Sequence, residues 1–99
     1  MKDGIRLDLN NSVFQRQLFE LEKKHQLAVL RVLRKLSQLT WPALSSDHGF
    51  RWEAIVSRKG PTGARPYTIR LSRGFRAVVY REDDWLRFLI LHPDHDSAY

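Results

Sequence analysis

The chain contains no cysteine, which excludes a disulfide framework and any thiolate metal site. No apolar run approaches the roughly 20 residues of a membrane span. The opening residues, MKDGIRLDL, lack the apolar core of a signal peptide, so a cytoplasmic protein is the simplest expectation. Internal repeats, low-complexity tracts and linkers are absent. So is the Gly-x4-Gly-Lys-Ser/Thr phosphate loop, which leaves a nucleotide-triphosphate site unsupported. Acidic residues are in deficit: 11 Asp and Glu stand against 17 Lys and Arg, a formal charge of +6. Such a field favours polyanions, whether RNA, DNA or an acidic protein.

What is present fits one domain spanning 1–99, large enough for a single modest core. Ile5, Leu7 and Leu9 alternate with Arg6 and Asp8, the period of a half-buried strand, which Asn10 and Asn11 stop. Ser12, with Gln15 three residues on, has the pattern of an N-cap in a capping box. From Val13 the period is helical. Lys23-Lys24-His25 suggests a bend, and a second helix is expected from about Gln26 to Leu39, with Leu27, Leu30, Leu33 and Leu36 as its apolar stripe. Arg31, Arg34 and Lys35 fall off that stripe and read as a solvated face. Trp41-Pro42 is expected to end the helix.

Phe50 to Ser57 alternates and reads as a strand. A basic irregular loop follows, in which Arg58, Lys59 and Arg65 are candidate contacts to an RNA backbone. Tyr67 to Leu71, Phe75 to Glu82 and Trp85 to His92 then read as three antiparallel strands. The order of strand, helical hairpin and four strands predicts an α+β domain, its antiparallel run forming one sheet with helices on one face.

The first hairpin decides which residues meet. A three-residue loop, Ser72-Arg73-Gly74, pairs Ile69 with Ala77 and sets Arg70 across from Arg76, with Gly74 expected in the left-handed conformation. Tyr67, Ile69, Leu71, Phe75, Ala77 and Val79 then form an apolar face. Thr68, Arg70, Ser72, Arg76, Val78 and Tyr80 form the other. Like charges on facing residues are destabilising unless an anion lies between them. This marks Arg70 and Arg76, beside Tyr80 and with Arg73 at the loop, as a candidate phosphate clamp. Pairing Glu82 with Trp85 places Leu91 opposite Arg76 and ends the last strand near the clamp.

The tail concentrates His92, Asp94, His95, Asp96 and Tyr99. His92 and His95 with Asp94 or Asp96 have a metal-ligand composition, but basic surroundings disfavour a dication, and no metal or other cofactor is expected. A solvated tail without chemistry is the plain alternative. Acid–base catalysis is the third: one histidine accepts a proton and the other donates one. Arg70 and Arg76 would then bear the charge of a phosphorane. Tyr99 would stack on a base or orient the phosphate.

The succession YTIRL, RGFRAVVYRE and WLRFLILHPDHDSAY, preceded by GFRWEAI, resembles the RelE/ParE superfamily of bacterial toxin–antitoxin modules. The element order follows that family from Ile5 to Tyr99, and the specific matches lie in the second half. Arg70 matches the basic residue of the Tyr-x-Ile-basic-Leu strand. Gly74 to Val78 match the Gly-Phe/Tyr-Arg strand, with its arginine at Arg76, and His92 to Tyr99 match the closing polar segment. The RelE-like branch implies a ribosome-dependent endoribonuclease that cleaves mRNA without a metal, held by an acidic antitoxin with which it would form an oligomer. By position Arg76 would stabilise the phosphate, Arg70 would contact it, the tail histidines would transfer protons and Tyr99 would stack on the mRNA. Glu53 would be an alternative base, as a carboxylate is in some relatives. Thr68 stands where some members carry lysine, and histidines stand where those members have Lys and Arg. ParE-like members implied by the same resemblance bind DNA gyrase without catalysis, and an inert basic RNA-binding domain is the third expectation.

Overall fold

The computed structural model describes residues 4–56 and 63–93. Its elements are β1 (Arg6–Asp8), α1 (Ser12–Glu20), α2 (Lys23–Ser37), α3 (Trp41–Ser46), a 3-10 turn at His48–Phe50, β2 (Glu53–Ala54), β3 (Pro66–Arg70), β4 (Phe75–Glu82) and β5 (Trp85–Pro93). The strands form one sheet in the order β1-β5-β4-β3-β2. β2 to β5 pair antiparallel with one another, as expected, and β1 joins the far edge parallel to β5. Among the described residues no helix is long and apolar enough to cross a membrane.

The helices cover one face of the sheet. Phe14, Val29, Leu33, Leu36, Trp41 and Leu44 from the helices close on Ile69, Leu71, Ala77, Val79, Leu86, Phe88 and Leu91 from the strands. Each Val, Leu, Ile or Phe among them contributes about 1.5–3 kcal/mol by leaving water. Phe14 and Phe88 meet with ring centroids 5.2 Å apart. The apolar set of the β3–β4 hairpin is the one its alternation predicts.

Several local expectations are corrected. Asn11 caps α1, not Ser12: the Asn11 side chain accepts from the Val13 and Phe14 backbone N–H groups at 2.9 and 3.2 Å. Gln15 binds the Leu9 carbonyl instead of closing a capping box. The break between α1 and α2 falls at Leu21 and Glu22, and Lys23-Lys24-His25 form the first turn of α2. Gln26 then reaches back to the Leu18 and Phe19 carbonyls, both at 3.1 Å, and satisfies the end of α1.

The buried stripe of α2 is Val29, Leu33 and Leu36, whereas Leu27 and Leu30 are 47% and 51% exposed. A strict i+3 repeat falls about 60° short of a full turn at each step, so four such leucines fan across half the helix. The i, i+4, i+7 set holds the core face.

Trp41-Pro42 opens α3 rather than merely ending α2. Thr40 accepts from the Ala43 N–H, and proline suits the first turn, where its missing N–H costs nothing. The strand expected from Phe50 shrinks to Glu53–Ala54, because Phe50 closes the 3-10 turn and Arg51 is left-handed at φ 49°. The loop positions 58 and 59, and the end of that expected strand at 57, lie outside the described residues.

Gly74 does not take the left-handed conformation. The three-residue loop forms as expected, but its close is made by the Leu71 and Ser72 N–H groups sharing the Phe75 carbonyl, and by Gly74 donating to the Ser72 hydroxyl.

A bulge between Val78 and Val79 shifts the β4–β5 register. Val79 faces Phe88, but Val78 faces Ile90, leaving Leu89 as the extra residue. Leu91 therefore turns into the core opposite Ala77, and His92, not Leu91, stands across from Arg76.

Candidate active site

On the sheet face away from the helical core, three strands bring one residue each into a single row. Arg70 on β3 pairs with Arg76 on β4, and Arg76 pairs with His92 on β5. The row is a product of two local devices: the Ser72-Arg73-Gly74 loop sets the first pair and the bulge sets the second.

Arg76 is the anchor. It is only 8% exposed. One of its terminal nitrogens, Nη2, donates to the Thr68 hydroxyl at 3.1 Å and to the Arg51 carbonyl at 3.3 Å, and lies 3.7 Å from Glu53 Oε1. Thr68 is two residues before Arg70 on the same face, and Glu53 pairs with Thr68 across β2 and β3. The left-handed backbone of Arg51, which costs an L-residue about 1–2 kcal/mol, accompanies a carbonyl directed at Arg76. A guanidinium held in place in this way is pre-oriented for phosphate oxygens, whose geometry its planar fork matches.

The like-charge pair of Arg70 and Arg76 is thus set beside a carboxylate, Glu53, whose own side chain is largely exposed. A phosphate arriving at the pair would compete with Glu53 for Arg76. His92 Nδ1 lies 2.9 Å from the Pro93 carbonyl. A carbonyl only accepts, so Nδ1 is the protonated nitrogen, and in the neutral imidazole Nε2 carries the lone pair that a general base needs.

The other candidates are spread out. Tyr80 shares the face of the row but sits four residues along β4, about 13 Å away at strand spacing, where it lines a 270 Å³ cleft with Asp8 and Arg87. There Arg87 donates to Asp8 and to Glu82, which ties β1 to the β4–β5 hairpin. The hydrogen bond to Asp8, followed by that to Glu82, holds the Arg87 guanidinium above its ordinary value against the opposing effect of burial.

Arg73 is exposed at the hairpin tip, beside the row. Arg65 is also exposed, but it donates to the Ile55 carbonyl and belongs with Tyr67 on the opposite side of the sheet. Asp94, His95 and Tyr99, like Arg58 and Lys59, lie outside the described residues. No group of three metal-ligating side chains occurs among the described residues.

Thr68 and the Arg51 carbonyl are the groups that sequence reasoning missed as parts of the clamp. Alternation already put Thr68 on that face; nothing in the local sequence marked Arg51.

No protein-family model matches the chain, and no curated protein does. Among solved structures, a copper-bound mutant toxin from Helicobacter pylori is similar, with 20% identity over 97% of this chain and 98% of that one and a TM-score of 0.48. A likeness of that degree assigns neither family nor chemistry here.

Proposed function

We propose that this protein is the toxin of a toxin–antitoxin module, an endoribonuclease that cuts mRNA on the ribosome by 2′-OH attack. The observation that carries the reading is the row Arg70–Arg76–His92. It joins two phosphate-binding forks to a group able to take a proton.

In this mechanism His92 Nε2 removes the proton of the 2′-OH, and the 2′ oxygen attacks the adjacent phosphorus. Arg76 and Arg70 bind the non-bridging oxygens and stabilise the charge of the phosphorane, a contribution worth on the order of 10²–10³ in rate for one well-placed donor. The bond to the 5′ oxygen then breaks, and an acid supplies that oxygen with a proton; His95 is the residue of the tail suited to it. The step leaves a 2′,3′-cyclic phosphate and a 5′-hydroxyl, and it balances without a metal ion or any co-reactant. Glu53 beside Arg76 supports a second role for a carboxylate: it holds the clamp until RNA displaces it. The net charge of +6 suits both RNA and an acidic antitoxin that would cover the same cations.

The test is controlled expression of the wild type and of Arg76→Ala, with mapping of mRNA 5′ ends and a gyrase supercoiling assay alongside. New ends within codons that vanish in the variant are expected. Intact mRNA with inhibited supercoiling would replace this reading with the gyrase-binding one.

A further inference from the structure

A second cleft, of about 530 Å³, opens on the helical side of the sheet near the β2 edge. Its walls include Trp41, Ser45, Trp52, Arg65, Tyr67 and Arg81. We propose that this cleft is a nucleobase subsite, which receives a nucleotide of the same RNA strand a few residues from the phosphate held at Arg76. The inference rests on the nuclease reading for its substrate but on separate residues for its chemistry.

Three observations converge. The first is a flat aromatic wall: Trp52 and Tyr67 are stacked, with centroids 4.2 Å apart and planes within 9°. Both rings are only half-buried, so the stack can be extended by another planar ring.

The second is a pair of fixed cations. Arg81 lies 4.1 Å over the ring of Trp41 and donates through Nε to the Asp83 carbonyl at 2.7 Å. Arg65 donates through Nη1 to the Ile55 carbonyl at 3.2 Å. Each guanidinium is held by backbone, so its remaining donors are positioned rather than searching. Asp83 also lines the cleft, which leaves two cations against one carboxylate. Planar surface, cations and a volume within the roughly 300–1,000 Å³ of small-molecule sites together describe a place for a base and its phosphate.

The third observation is the connection. An adjoining cleft of about 600 Å³ shares Ser45 and Trp52 with the first and extends to His48, Arg51 and Glu53. Arg51 and Glu53 are, with Thr68, groups that hold Arg76. Because β2 is two residues long, with Glu53 opposite Thr68 and Ala54 opposite Tyr67, this track passes from the clamp face to the aromatic face around a very short edge. Of its three acidic members, Asp47 is offset by Lys35 at 3.7 Å and Glu53 by Arg76, while Asp83 shares the first cleft with Arg65 and Arg81. A nucleic-acid strand suits such a track better than an acidic peptide does, since stacking faces and cations recur along it and two of its three carboxylates are already answered by a cation.

The three tryptophans make the test direct, because Trp41 and Trp52 line the cleft and Trp85 lies at the start of β5 under Arg6. AMP is titrated into the full-length protein while the indole N–H resonances are followed by NMR. The Trp52 and Trp41 signals are expected to move and the Trp85 signal to stay. Ribose 5-phosphate, which lacks the base, is expected to leave all three in place. Trp52→Ala should weaken AMP binding by about 5- to 160-fold, the range for losing one base–aromatic stack, and Trp52→Phe should retain it. Indoles that ignore AMP, or respond equally to ribose 5-phosphate, would overturn the subsite, as would preferential binding of an acidic aromatic peptide. AMP binding in a protein that cuts no RNA would leave the cleft standing and remove the nuclease; cleavage with silent indoles would do the reverse.

Discussion

At the scale of single residues, the hydroxyl of Thr68 has the clearest assignable task. It accepts from Arg76 Nη2 on the face where the two arginines meet, and a change there alters orientation without altering charge. Thr68→Val is expected to lower cleavage roughly tenfold, in line with losing one hydrogen bond to a charged group. The loss should fall on kcat rather than KM, since the phosphorane depends on the fork's orientation more than ground-state RNA does. Thr68→Ser should restore the rate, and single-turnover kinetics would separate the two effects. Gly74 makes the opposite prediction. It is not left-handed, and a Cβ there meets nothing within 4 Å. Gly74→Ala should therefore leave stability unchanged or raise it by about 0.4–1 kcal/mol in urea unfolding. A loss of about 1–2 kcal/mol would instead mean a left-handed glycine. Sequence alone identified the right three-residue loop, because only that register sorts apolar from polar faces. It could not give the conformation inside the loop, since the shared Phe75 carbonyl is a matter of backbone geometry.

At the scale of elements, alternation was the reliable signal and helical phase was not. The β3–β4 register was legible because Ile69, Leu71, Ala77 and Val79 can share a face in only one way. The bulge in β5 was not legible: LRFLILH alternates acceptably in either register. What separates them is Leu91, which is buried opposite Ala77 while Ile90 turns toward solvent. The bulge is also what brings His92 across from Arg76, so a part of the site depended on a feature without a sequence mark. In α2 the leucine repeat obscured the true core face. Leu36→Ala should cost about 2–5 kcal/mol, as a large-to-small change at a fully buried position does. Leu27→Ala should stay within about 0.5 kcal/mol, being a surface change. Equal losses in chemical denaturation would restore the i+3 stripe. The strand expected at Phe50 failed for a related reason: its residues favour strand, but the capped turn at Asp47 and the left-handed Arg51 prevail.

At the scale of the whole molecule, the sheet separates two environments, an apolar face packed by helices and a face bearing the Arg70–Arg76–His92 row. The excess of cations was visible from composition, but its division between the two faces was not. If the row grips RNA phosphates, log K should fall linearly with log salt. Removing one phosphate contact by Arg70→Ala should reduce the magnitude of that slope by about 0.7 for a single strand. An unchanged slope in fluorescence anisotropy would place Arg70 outside the interface. The central claim, however, concerns a bond rather than an affinity. It is tested most directly by the ends of the RNA that the purified protein produces on programmed ribosomes. Attack by the 2′-OH predicts a 2′,3′-cyclic phosphate and a 5′-hydroxyl, no product when the nucleotide before the cut is 2′-deoxy, and none from Arg76→Ala. Fragments with 5′-phosphate ends, or cleavage that survives the 2′-deoxy substitution, would contradict it.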